Sequence, residues 1–321
     1  MSMFALKTIS LSKNFWKKKS WLARKELIPV VKNLNLEIKP GESVAFLGPN
    51  GAGKSTSIKL ICGILRPTSG ESWIEQYPSG TIEANKRLGL VFGTRSNLWM
   101  YMTVNQSLEM IGAIYRLSNK ETLSRIHLLA ELFEITHFLD FPPNTLSLGE
   151  RMRCEIVASL IHRPSVLLAD EPTIGLDVIG KTRFRLLLRQ WQEEEKTTVL
   201  LTSHDISDVE ALCDRAILIN KGQIGYDGPL QGLKGTLASK RNIKLSLSKS
   251  IQNNSMEVRK GIQIIEDDHF IKKFQIDIQQ ISSISAIDYL MTIYKNNIFD
   301  ISVEEISLES IISQWYTGEQ R

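Results

Sequence analysis

The sequence predicts an α/β layer structure that carries a helical insertion and is followed by a small α+β unit. Three patterns predict it. Short apolar runs alternate with stretches of helical periodicity from Phe4 to about Lys234. Inside that span, about 95–164 holds several helix patterns and few strand patterns, the mark of an insertion. Beyond it, period-two alternation returns, interspersed with two amphipathic helices.

Taken in order, strands are expected at 43–47, 88–92, 166–169, 198–202 and 216–220. One helix follows Lys54, with Ile58, Ile61, Cys62 and Leu65 on one face; others span 107–117 and 120–133, follow Gly149, and span 182–195. A hairpin turns at Asn220-Lys221-Gly222, and Tyr226-Asp227-Gly228-Pro229 closes the first unit. The expected units are therefore 1–234 and 235–321. In the second, Ile243, Leu245 and Leu247, then Phe274, Ile276 and Ile278, then Ile301 and Val303 alternate as strands. Ile284, Ile287, Leu290, Met291 and Tyr294 share one helix face, and Leu308, Ile311, Ile312 and Trp315 another.

Composition narrows the function. With 42% hydrophobic and 23% charged residues, the chain of 321 residues can bury a full core. A net charge of +4 from 39 basic and 35 acidic residues gives no overall field for nucleic acid. Cys62, Cys154 and Cys213 match no metal spacing and sit among apolar neighbours, as buried thiols of a reducing compartment do. No apolar run approaches the roughly 18 residues of a membrane span, and no leader pattern opens the chain, so membrane association is expected through a partner.

The strongest motif runs through Gly48, Pro49, Asn50, Gly51, Ala52, Gly53, Lys54 and Ser55, with Thr56 next, between an apolar strand and a helix. It fits the phosphate-loop pattern in full. Its glycines let successive N–H groups turn inward, and the helix N-terminus adds positive potential. Lys54 would bridge β- and γ-phosphates, and the Ser55 hydroxyl would meet Mg²⁺. A chance glycine-rich turn is the alternative, which the strand-loop-helix context opposes. The apolar run 166–169 ends in Asp170 and Glu171, one carboxylate for the metal and one for the attacking water. Two acids could merely solvate a strand end, but paired with the phosphate loop they read as chemistry.

Leu146-Ser147-Leu148-Gly149-Glu150-Arg151 then opens a helix, and with it the chain resembles the ATP-binding-cassette (ABC) family of P-loop NTPases, whose signature is a Leu-Ser-Gly-Gly-Gln-like segment. The resemblance covers residues 4 to about 230. It implies that Phe15 stacks on adenine, that Ile174-Gly175-Leu176-Asp177 is the aspartate loop of a dimer interface, and that His204 is the switch histidine. Each has a plainer reading: Phe15, beside Trp16, as ordinary core, His204 as a satisfied core histidine, Asp177 as a helix cap. A Ser147 hydroxyl, the Gly149 N–H and the helix N-terminus form a second anion-binding surface that the insertion holds away from the chain's own phosphate loop, and the resemblance puts Glu150 beside them at the nucleotide. A head-to-tail homodimer with two sandwiched ATP molecules would resolve this.

Two departures stand out. Where the family carries a glutamine touching Mg²⁺ and water, Val91-Phe92-Gly93-Thr94-Arg95-Ser96 places Thr94, with Gly93 the other candidate. The signature has Leu148 for glycine and Glu150 for glutamine. Lys13, Lys17, Lys18, Lys19, Arg24 and Lys25, interleaved with Trp16 and Trp21, read as a solvated hairpin insertion, with lipid headgroups or nucleic acid as alternatives. The tail is expected to serve dimer contact or regulation, or simply stability. The resemblance thus implies an ATPase subunit at the cytoplasmic face of a membrane, powering export through a separate permease that docks near 94–102. A soluble cassette ATPase and a weakly hydrolysing regulator are the rivals; cargo is not written in the cassette.

Overall fold

The computed structural model describes residues 3–17, 26–93, 96–236, 240–249 and 259–317. The chain divides into two compact units, Met1–Pro229 and Leu230–Arg321.

The first unit opens with two long antiparallel strands, β1 (Leu6–Lys17) and β2 (Glu26–Ile38). β3 (Ser43–Leu47), all five residues buried, leads through a loop into helix α1 (Lys54–Ile61). β4 (Ser69–Ile74), β5 (Tyr77–Pro78), α2 (Ile82–Asn85) and β6 (Leu88–Phe92) follow. The insertion comprises α3 (Val104–Ile114), α4 (Asn119–Leu132) and α5 (Leu148–Leu160). The chain then returns through β7 (Val166–Asp170), α6 (Val178–Glu195), β8 (Thr198–Thr202), α7 (Ile206–Leu212), β9 (Arg215–Asn220) and β10 (Gln223–Pro229).

These strands form two sheets. One is antiparallel, in the order β2-β1-β4-β5. The other has the order β10-β9-β3-β8-β7-β6, parallel except for the antiparallel edge strand β10. A single core joins them, with Leu6, Leu34 and Ile38 from the first sheet, Phe46, Leu168, Leu200 and Ile217 from the second, and Ile58 and Ile61 of α1. Because parallel strands align their C-terminal ends, Leu47, Asp170 and Thr202 finish along one edge, and the loops after them carry the predicted chemistry.

Helix starts differ from the periodicity reading for a definite reason. α3 begins at Val104 rather than 107 because Thr103 and Gln106 form a reciprocal capping box, and it ends before Arg116, whose φ is 61°. Ser118 with Glu121 starts α4 in the same way. α6 begins at Val178 rather than 182 because Asp177 caps it, although Val178 and Ile179 are exposed and break the apolar stripe.

In the second unit, α8 (Leu230–Thr236) precedes β11 (Lys240–Leu247), β12 (Ile262–Asp267), β13 (Ile271–Asp277), α9 (Ser283–Tyr294), β14 (Ile298–Glu305) and α10 (Leu308–Thr317). The sheet is antiparallel, ordered β12-β13-β11-β14, and Ile243, Leu245, Phe274 and Ile276 pack on Ala286, Leu290 and Tyr294 of α9. Ile278 lies one residue beyond β13, and β12 is a strand the alternation did not reveal.

A histidine at the seam between insertion and sheet makes stability depend on pH. The His162 ring stacks on Tyr115 at 3.8 Å, and its Nε2 lies 3.1 Å from the Leu88 carbonyl oxygen. Burial pushes its pKa down to about 4. The unfolded chain therefore takes up a proton that the folded one refuses, so this contribution is complete above about pH 6.5 and is lost as pH falls toward 4. Denaturant titrations should show the wild type losing roughly 2 kcal/mol between pH 7 and pH 5 from this group, with a correspondingly flatter profile for His162→Phe. Equal pH profiles would exclude the assignment.

Candidate functional site

The phosphate loop is shaped by two close approaches. A Cβ on Gly48 would lie 2.6 Å from the Ile219 carbonyl oxygen, so the end of β3 lies flush against β9 only because residue 48 has no side chain. Gly53, with φ of 105°, turns the chain into α1, where a Cβ would also sit 2.8 Å from the Val30 carbonyl oxygen. Ala52 N–H donates to Pro49 O at 3.1 Å and Gly222 N–H to Ala52 O at 2.9 Å, which pins the loop on both sides. No acidic residue occupies the first turn of α1, so no side chain of that turn opposes its N-terminal potential. Lys54 is only 8% exposed, and its ammonium donates to Gly48 O at 2.5 Å. Burial lowers its pKa below the usual lysine value, while the Glu171 and Asp170 carboxylates oppose that shift. Three predicted groups thus share one field.

Thr202, which the sequence reading did not single out, organises both acids. Its hydroxyl donates to Asp170 Oδ1 at 2.5 Å, and its hydroxyl and carbonyl oxygens both accept the Glu171 N–H at 3.1 Å. Glu171 adopts a left-handed backbone, φ 54°, that swings its carboxylate toward His204. Glu171 Oε2 accepts the His204 N–H at 3.1 Å. Oε1 lies 3.4 Å from His204 Nε2 but is not aligned with it as a hydrogen bond, and this buried oxygen has no hydrogen-bond partner. An orphaned acceptor here suits a water molecule.

Gly93 N–H donates to Asp170 O at 3.0 Å, and a Cβ there would lie 2.5 Å from the Glu171 carbonyl oxygen. Position 93 has room for glycine alone. Thr94 lies outside the described residues, as do Lys18, Lys19, Trp21, Arg24 and Lys25.

Ser147 caps α5 and Glu150 completes a capping box: Glu150 N–H donates to Ser147 Oγ at 3.4 Å, and Ser147 N–H to Glu150 Oε2 at 2.8 Å. The Ser147 hydrogen bonds hold the Glu150 carboxyl below the usual carboxylate range, so position 150 stays anionic. The Ser147 hydroxyl has a single proton, which the Glu150 carboxyl now draws, so a phosphate arriving at this helix start would compete with Glu150 for it. Asp177 caps α6 by accepting Gly180 N–H at 2.7 Å. Ser147, Gly149, Glu150 and Asp177 line one cavity of about 290 Å³, and no residue of the phosphate loop lines it. Phe15 on β1 pairs with Ile28 and is 38% exposed, with the Lys13 ammonium 5.4 Å from its ring centre. Trp16, more exposed, follows it on the opposite side of the strand.

Comparison with known proteins converges. The family model described as "ABC transporter" matches residues 31–174. The ABC transporter ATP-binding protein NatA of Bacillus subtilis is 34% identical over 212 residues, which is 65% of this chain and 86% of that protein. The linearmycin resistance ATP-binding protein LnrL of the same species is 30% identical over 287 residues, covering 88% of this chain and 92% of LnrL. Among solved structures, the dimeric post-hydrolysis ATP-binding cassette MJ0796, bound to ADP and Pi, matches with a TM-score of 0.61 and 30% identity, over 70% of this chain and 98% of that one.

Proposed function

The chain belongs to the ABC transporter family of ATP-binding proteins and is an ATPase, and from that premise we propose that two copies close head to tail around two ATP molecules and power export through a separate membrane permease. The observation that carries the dimer is that the cavity of Ser147, Gly149 and Asp177 shares no residue with the phosphate loop. A second copy would bring each signature to the other's phosphates. Ile174, Val178 and Ile179 stand exposed beside Asp177, an apolar surface that a partner copy would cover. The match to LnrL is longer than the first unit and so reaches into the second, and the resistance named for that protein favours export.

The residues present fit Mg²⁺ as a hard ion held chiefly by substrate. Among the described residues no three His, Cys, Asp or Glu side chains gather into a metal site, whereas the Ser55 hydroxyl and the Asp170 carboxylate offer two oxygens beside the phosphate cradle. The bound ion would neutralise charge on the phosphates. Lys54 holds the β- and γ-phosphates, and Glu171, through its orphaned Oε1, orients and deprotonates the attacking water. His204, beside that oxygen, keeps carboxylate and γ-phosphate in register.

The permease would dock on the insertion. There Glu155, buried on α5, accepts hydrogen bonds from the Ser96 hydroxyl and, at 2.6 Å, the Asn97 N–H, fixing the loop after β6. A cavity of about 310 Å³ opens between Gly93, Met100 and Glu155, and Tyr101 beside it is 90% exposed. In extracts of the native cells the chain should co-purify with integral membrane protein. The Trp99→Ala/Tyr101→Ala variant should lose that association about tenfold or more, as removal of two aromatic anchors does, while keeping its ATP affinity. Loss of ATP affinity instead, or undiminished membrane association, would refute the docking surface.

A further inference from the structure

Asp208, in the first turn of α7, is 0% exposed, and three donors from three other segments converge on it. Its Oδ2 accepts the hydroxyl protons of Thr173 and, at 2.7 Å, of Ser203; its Oδ1 accepts Arg185 Nε–H at 2.6 Å. Each donor belongs to a segment that carries chemistry. Thr173 lies between Glu171 and Asp177, Ser203 immediately precedes His204, and Arg185 stands on α6, the helix that Asp177 caps. Burying a carboxylate is costly unless its oxygens are satisfied, and removing a donor from such a group leaves charge exposed to a low dielectric. The three segments are therefore held to one point by a group that resists losing any of them.

We propose that Asp208 is a positioning residue for ATP hydrolysis, a tie between the aspartate loop and the His204 loop that carries the state of the dimer face to Glu171. The proposal rests on the ATPase reading. A shift of Asp177 against a second copy would pull on Thr173 and Arg185, and through Asp208 on Ser203 and the His204 N–H that seats Glu171 Oε2. A carboxylate that merely stabilised α7 would need one or two donors of any origin; here all three come from the reacting segments. Asp205, the cap of α7, extends the tie by accepting Lys181 Nζ at 2.8 Å from α6.

The test uses the full chain and three variants, Asp208→Asn, Thr173→Val and Ser203→Ala, the last two guarding against a failure of the first to fold. Wherever wild-type turnover is measurable, Asp208→Asn should lower kcat at least about tenfold with KM for ATP within about twofold, the split that marks an interaction needed for the chemical step rather than for binding. Amide exchange without nucleotide gives a readout independent of turnover. Thr173→Val should accelerate exchange in 203–206, and Ser203→Ala in 173–177, each across the tie. Exchange that quickens only in the mutated segment, or an unchanged kcat in Asp208→Asn, overturns the proposal. Failure of the ATPase reading would look different: a wild type without affinity for ATP.

Discussion

Glu171→Gln will reduce ATP turnover by roughly 10²–10⁴-fold, the range a positioned general base supplies, while ATP stays bound. The substitution keeps the shape of the side chain and an acceptor for the His204 N–H, which now meets Oε2 at 3.1 Å. It removes the basicity of the orphaned Oε1 that the attacking water needs. The left-handed backbone at φ 54° is set by the Thr202 contacts to the main chain, so the fold should not change. Because the γ-phosphate would then persist, size-exclusion chromatography with Mg-ATP should show a dimer in the variant and a shorter-lived one in the wild type. Undiminished turnover in the variant would remove Glu171 from the mechanism.

Lys54→Ala will weaken ATP binding by roughly 10–100-fold, the worth of one or two charge-assisted hydrogen bonds in a partly buried site. The ammonium now rests on Gly48 O at 2.5 Å and Pro49 O at 3.5 Å, carbonyls it can leave when phosphate enters. Burial has already removed most of its water and lowers its pKa, while the nearby Glu171 and Asp170 carboxylates favour its charged form. Its loss removes one of the positive charges between those two acids and the phosphates, so the penalty exceeds that of a surface lysine. Equilibrium dialysis with labelled ATP measures this directly, and an affinity within twofold of wild type would contradict the assignment.

The fold class was legible because its strands are short apolar runs punctuated by glycine and acid: the expected 43–47, 88–92 and 198–202 are the strands observed. Helix starts were less so, since apolar period says where a helix buries itself but not where it begins. Thr103 with Gln106 and Ser118 with Glu121 carried that information in polar residues. β12 escaped because Ile262 and Ile264 give too brief an alternation beside Ile265. In the site, the residues to which we assign phosphate or water declared themselves by motif. Thr202 and Asp208 did not, because a hydroxyl or carboxylate acting on other side chains leaves no spacing rule, only a contact made when distant segments meet. The nearest hint was the polar run Thr202-Ser203-His204-Asp205 at the end of a buried strand.

The backbone of Glu171 also limits how this subunit can evolve. At φ 54°, valine, isoleucine and threonine are strongly disfavoured, while asparagine, aspartate and glycine enter easily. A lineage losing hydrolysis would therefore drift first through asparagine or glycine, and its descendants would keep the nucleotide pocket intact while the motor fell silent. Among descendant sequences, an Asn or Gly at this position would be the trace of a retired engine whose chassis still folds.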